Sequence, residues 1–123
     1  MKNIKGYLID PYTNSVKRVE VKGDYKAIYP LIDCHTFDIA RVENNGDGIY
    51  IDDEGLLSLT PATRFFTYDG YPNPLAGKGL MLGCNRAGDS INVKLSLAAV
   101  TKKIKFYSLA EIRATYQGRG IAP

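Results

Sequence analysis

The residues best suited to chemistry lie in and around DGYPNPLAGKG, Asp69 to Gly79. The phenols of Tyr68 and Tyr71 offer faces for a planar ligand, and Arg64 and Lys78 offer cations for a phosphate or carboxylate. The glycines let a backbone come close to a ligand. Asn73, with Asn85 and Arg86 beyond the next apolar run, adds polar contacts. The candidate binding set is therefore Arg64, Tyr68, Tyr71, Asn73, Lys78, Asn85 and Arg86. Eleven residues without obvious secondary structure is long for a compact domain, and such loops often carry function. The same residues would also serve as a long hairpin connection stiffened by Pro72 and Pro74.

Other constellations carry less. Gly77-Lys78-Gly79 lacks the G-x-x-x-x-G-K-[ST] spacing of a phosphate loop and runs into a strand pattern, so no helix dipole would hold the anion. ENNGDGIYIDDE, Glu43 to Glu54, places Glu43, Asn45, Asp47, Gly48 and Glu54 at calcium-loop positions. Its first residue should be aspartate, Tyr50 replaces an aliphatic, and both flanks read as strands. A polar hairpin tip accounts for the segment, and no metal site is expected.

Asp33-Cys34-His35 sets a thiol beside an imidazole, but neighbours on an extended chain point opposite ways. Two cysteines and one histidine also fall short of zinc's four ligands. Lys102, Lys103 and Lys105 form a small basic cluster, with Arg113 a candidate neighbour. Lysines at a helix C-terminus or on an exposed strand face need no ligand. A nucleic-acid partner would want more cations interleaved with aromatics, and none is expected. No GxSxG, HExxH, CxxC pair or spaced acid dyad occurs, so no catalytic residue and no cofactor is assigned. A metal-dependent hydrolase would have to draw on Asp47, Asp52 and Asp53, and is the weakest of the readings.

These residues need a scaffold, and 123 residues suit one core. Hydrophobic residues make up 45% and charged residues 24%, which is globular rather than disordered. Residues 1–60 carry 7 basic and 10 acidic side chains, net −3; residues 61–123 carry 9 and 3, net +6. The basic half would attract an anion. MKNIKGYLID has no apolar h-region, and no apolar run reaches the length of a membrane span. A reducing cytoplasm is expected, with Cys34 and Cys84 as free thiols.

The scaffold reads as follows. Lys2–Asp10 and Val16–Lys22 are strands of a hairpin turned at Asp10-Pro11-Tyr12-Thr13-Asn14. Asp24 caps a short helix bearing Tyr25, Ile28, Leu31 and Ile32, which Pro30 should kink or tighten near Tyr29. Thr36–Glu43 and Ile49–Asp52 are strands around the NNGDG turn. Arg64–Tyr68 and Gly79–Cys84 are short uninterrupted apolar runs, predicted as central strands covered on both faces. Ser96 caps a helix over Leu97–Lys102, Lys103–Ser108 is a strand, and Ser108 with Glu111 forms a capping box opening a helix to Tyr116. Gly118 stops it. The expected fold is α+β: one domain over 1–117, mostly antiparallel sheet with two or three short helices packed on it, and a C-terminal tail over 118–123.

IKGYLIDPYTNSVKRVEV, GDYKAIYPLIDCHTFDIARV, GIYIDDEGLL and GYPNPLAGKGLMLG, in that order, resemble a family of small phage and mobile-element proteins, domain of unknown function 3846. The resemblance spans Ile4 to about Tyr107. None of the shared pieces is a catalytic signature, and no functional residue carries over. The resemblance implies a small accessory gene of phage or plasmid type acting in a bacterial host cytoplasm. Such genes often encode inhibitors of host defence or host machinery. The leading expectation is a non-catalytic protein that binds and modulates a host component, with a host protein as partner. The alternative is a binder that sequesters a phosphorylated nucleotide messenger, at an interface between copies of a homo-oligomer.

Overall fold

A computed structural model describes residues 3–22 and 25–115. The expected Asp24 cap, the helix end at Tyr116, the Gly118 stop and the tail lie outside the described residues. The first hairpin forms as its alternation requires. Strands β1 (Asn3–Asp10) and β2 (Ser15–Lys22) pair antiparallel from Asn3↔Lys22 to Asp10↔Ser15. The Asp10 carboxylate accepts the Tyr12 amide at 2.9 Å, and Asn14 takes a positive φ of 50°.

Pro30 is accommodated by a change of helix type. Tyr25–Ala27 forms a 3₁₀ turn, and helix α1 starts only at Ile28 (Ile28–Ile32). Pro30 thus falls in the first α turn, where its missing N–H costs nothing. Strands β3 (Phe37–Arg41) and β4 (Gly48–Asp52) pair around the asparagine-glycine turn.

The two apolar runs are strands, as predicted: β5 (Arg64–Tyr68) and β7 (Gly79–Cys84). They lie in different sheets. The larger sheet runs β2-β1-β7-β4-β3, with β8 (Ser90–Ile91) extending from β7. The smaller runs β6-β5-β9, from β6 (Leu75–Ala76), β5 and β9 (Ile104–Ser108). All described pairings are antiparallel. The Asp69–Gly79 segment is therefore a crossover between sheets rather than a hairpin loop, and its middle supplies β6. Apolar runs reveal that a strand is central; they do not reveal its partner.

The layers follow from strand alternation. One face of the larger sheet, with Tyr7, Ile9, Ile49 and Met81, packs on Phe66, Tyr68, Leu75 and Ile104 of the smaller sheet. Its other face, with Val21, Tyr50, Leu80 and Leu82, is covered by Ile28 and Ile32 of α1. The outer face of the smaller sheet, with Phe65 and Ala76, is covered by Leu109 and Ile112 of α3 (Leu109–Thr115). Gly79 sits where the sheets meet. A Cβ there would stand 2.7 Å from Phe66 Cζ and 2.8 Å from Ile49 Cγ2, so only glycine fits without movement.

Helix α2 (Leu97–Lys103) adds Val100 to the core, and its Ser96 cap accepts the Ala99 amide at 3.1 Å. The capping box of α3 is complete: Ser108 Oγ accepts from the Glu111 amide at 3.1 Å, and the Glu111 carboxylate from the Ser108 amide at 2.8 Å. The chain is thus a single α+β domain, mostly antiparallel, with three short helices. Among the described residues no helix is long and apolar enough to cross a membrane.

Candidate functional site

Strand β5 runs between two clefts, one at each end. Beyond Tyr68 the chain turns at once: the Tyr71 amide donates to the Tyr68 carbonyl at 2.9 Å, with Gly70 at φ +91°. Such a turn needs a residue free to adopt positive φ. The Asp69 amide donates to the Lys103 carbonyl at 2.8 Å, tying this tip to the end of α2. The β5–β9 register sets Thr67 opposite Lys105 and Phe65 opposite Tyr107, so Thr67, Lys105 and Tyr107 share the outer face. The result is a cleft of about 440 Å³ lined by Thr67, Tyr68, Asp69, Gly70, Tyr71, Lys102, Lys103, Lys105 and Tyr107.

The three lysines differ. Lys103 Nζ lies 2.9 Å from the Glu43 carboxylate and 5.7 Å from the centre of the Tyr68 ring. Lys102 and Lys105 are exposed, and their ammonium groups have no ion pair or hydrogen bond among the described residues. Asp69 is the one carboxylate in the lining; with Lys103 paired to Glu43, the cleft keeps a net +1.

At the opposite end, roughly 13 Å away at about 3.3 Å per strand residue, the charge reverses. A cleft of about 490 Å³ is lined by Asp10, Asp33, Asp52 and Lys78, together with Tyr12, Thr13, Gly55, Ser58, Thr63, Ala76 and Gly77. Its one lysine is taken: Lys78 Nζ meets the Asp33 carboxylate at 2.9 Å. That hydrogen bond, with the fields of Asp33 and Asp10, pushes the Lys78 ammonium above its ordinary range.

The chain matches the family described as Domain of unknown function (DUF3846) over residues 4–105. It belongs to that family. The matched DUF3846 span holds both clefts except for Tyr107. Among curated proteins and among solved structures, none matches the chain.

The seven residues singled out from sequence are scattered over this DUF3846 fold. Tyr68 is 1% exposed and belongs to the core, so it offers no ring face to a ligand. Its hydroxyl donates to the Glu43 carboxylate. Burial, then that carboxylate, holds the phenol far above its ordinary value, while the bonds from Tyr68 and then Lys103 hold Glu43 below the usual carboxylate range. Arg64 is a tether: Nε donates to the Pro11 carbonyl at 2.7 Å and a terminal nitrogen reaches Asn14 Oδ1 at 3.4 Å. Asn85 Oδ1 accepts the Ala87 amide at 3.0 Å and the Asp89 amide at 2.9 Å, which closes the turn that displays Arg86. Asn85, Arg86 and the exposed Asn73 line neither cleft. Only Tyr71 among the seven reaches the lysine-lined cleft with a side chain fit for stacking. Gly70 lines the lysine cleft and Gly77 the opposite one; both take a positive φ and have open space at Cβ.

Of the other residues in the lysine-lined cleft, Lys102 and Lys105 read from sequence as part of a basic cluster needing no ligand, and Thr67 and Tyr107 were not singled out. A signal existed, because Lys105 and Tyr107 are two apart in a predicted strand and must share a face. The segment 43–54 is occupied by structure. Asp47 is 1% exposed, and its carboxylate accepts the Lys94 and Leu95 amides, both at 2.9 Å. Asp47 and Asp52 flank opposite ends of β4 and cannot share a metal. Among the described residues no group of three or more His, Cys, Asp or Glu is placed to hold one. Cys34 and Cys84 are unpaired. Burial, then Asp52, Asp53 and Asp33, raises the Cys34 thiol, the reverse of what a nucleophile needs.

Proposed function

We propose that this DUF3846 protein is a non-catalytic binding protein that takes a phosphorylated nucleotide in the lysine-lined cleft. In the phage-type setting its resemblance implies, it acts on the host by holding that ligand away from its target. The observation that carries the reading is the two ammonium groups without an ion pair among the described residues, Lys102 and Lys105, in one cleft with Tyr71 and Tyr107. A phosphate near two exposed ammonium groups gains about 1 kcal/mol per charge pair in water. A base stacked on a tyrosine adds roughly 1–3 kcal/mol. A volume of about 440 Å³ suits a mononucleotide. Asp69 stands without a second carboxylate, histidine or thiol in the lining, which favours holding over turnover.

Calorimetry tests this with adenosine and guanosine mono- and triphosphates, cyclic dinucleotides and pyrophosphate. At least one nucleotide should bind in the micromolar range, weaken with salt, and lose tenfold or more in the Lys102→Ala/Lys105→Ala double variant. Silence across the panel, or binding indifferent to that variant, contradicts the reading.

A further inference from the structure

The cleft at the other end of β5 carries a different surface. Leu57 is 84% exposed, Leu56 43% and Tyr12 49%. The two leucines lie in sequence between Gly55 and Ser58, which line the cleft along with Tyr12. They are displayed on a pinned loop. The Gly55 amide donates to Asp52 at 3.1 Å, the Leu57 amide to Glu54 at 3.0 Å, and the Thr60 amide to Thr63 Oγ1 at 2.9 Å. Leu59 of the same loop packs into the core beside Phe65 and Ile112. Apolar side chains held outward on a fixed loop beside a cleft mark a contact surface.

Charge selects what covers it. Three carboxylates, Asp10, Asp33 and Asp52, line the cleft against the single ammonium of Lys78. Lys78 is already paired with Asp33. Asp10 and Asp52 each accept one backbone amide, from Tyr12 at 2.9 Å and Glu54 at 3.0 Å, and keep a net negative charge. Arg64, which follows the lining residue Thr63, is bonded to the Pro11 carbonyl and Asn14.

We propose that this cleft and its leucine-bearing rim dock a basic, amphipathic segment of a partner protein, with lysine or arginine over the aspartates and an apolar side chain against Leu57. An acidic segment would be repelled, and a small polyamine would leave the leucines bare. The proposal goes beyond the nucleotide reading and does not depend on it.

The test is fluorescence anisotropy with a labelled peptide of alternating lysine and leucine, about ten residues long, sized to lie along the cleft. Peptides with glutamate for lysine or serine for leucine, and spermine as competitor, complete the set. The lysine–leucine peptide should bind at least tenfold tighter than the other two peptides. It should lose tenfold or more in Asp10→Asn/Asp52→Asn and in Leu57→Ser, and be unchanged in Lys102→Ala/Lys105→Ala. The asparagines keep the acceptor oxygens, and Leu57 is exposed, so thermal melts of these variants should match the parent. Equal binding of the glutamate peptide, full competition by spermine, or indifference to both cleft variants would overturn the proposal. So would a concentration-dependent dimer in sedimentation that Leu57→Ser dissolves, since a second copy would then be the occupant.

Discussion

The two ends of β5 carry opposite charge and spend it differently. At the carboxylate end, the lysine has a partner 2.9 Å away and the arginine is bonded to backbone. At the lysine end, Lys103 is paired with Glu43, but Lys102 and Lys105 face solvent beside two tyrosines. A cation bonded within the chain positions structure; a solvated one remains available to an anion. Arg64 and Lys78 looked like the ligand cations in sequence, and the fold uses both to join its own segments.

The comparison can be broken most severely at Asp47. Its carboxylate holds the Lys94 and Leu95 amides, from which α2 and two of the cleft lysines follow. Asp47→Ala should cost about 3–6 kcal/mol, at roughly 1.5–3 kcal/mol for each of the two hydrogen bonds to a charged group, read by denaturant unfolding. Asp47→Asn should cost less, since one acceptor oxygen remains.

Next comes the contrast among the three lysines. Lys103→Ala leaves Glu43 with Tyr68 alone and should cost about 1 kcal/mol after solvent screening. The Lys102→Ala and Lys105→Ala variants should stay within about 0.5 kcal/mol of the parent. Equal losses for all three would erase the distinction on which the binding site rests.

The Glu43 pair also sets an acid limb. Its folded pKa lies below the unfolded value of about 4.3. Its contribution is therefore fully present above about pH 5 and lost as pH falls through the folded value. Glu43→Gln should flatten stability against pH in that window, measured by urea midpoints; an unchanged slope would assign the limb elsewhere.

The carboxylate end should show a small effect as well. Lys78→Met should change stability by no more than about 1 kcal/mol, because Asp33 is largely exposed. The contribution it does make is present below about pH 10 and disappears as pH rises through the raised folded value.

Much of the scaffold was legible because local rules decide it. The β1–β2 hairpin, the Ser96 cap and the Ser108–Glu111 box are settled within a few residues of chain, and each formed. The division into two sheets was not legible, since β5 and β7 are equally apolar and nothing in either names its neighbour. Leu75–Ala76 and Ser90–Ile91 are too short to show alternation and become strands only by pairing with β5 and β7. The candidate site was half visible. The 69–79 loop was found, but its tip and its Lys78 end point into different clefts. Lys102 and Lys105 read as ordinary exposed lysines because their grouping with Tyr71 and Tyr107 depends on how α2 and the β5–β9 pair meet.

The most direct measurement is an amide chemical-shift titration of the labelled protein with the phosphorylated nucleotides. The account predicts that the amides of Thr67–Tyr71 and Lys102–Tyr107 move together while those of Asp10, Asp33 and Lys78 stay still. Movement centred on Asp10, Asp33 and Lys78, or no movement at saturating ligand, would contradict it.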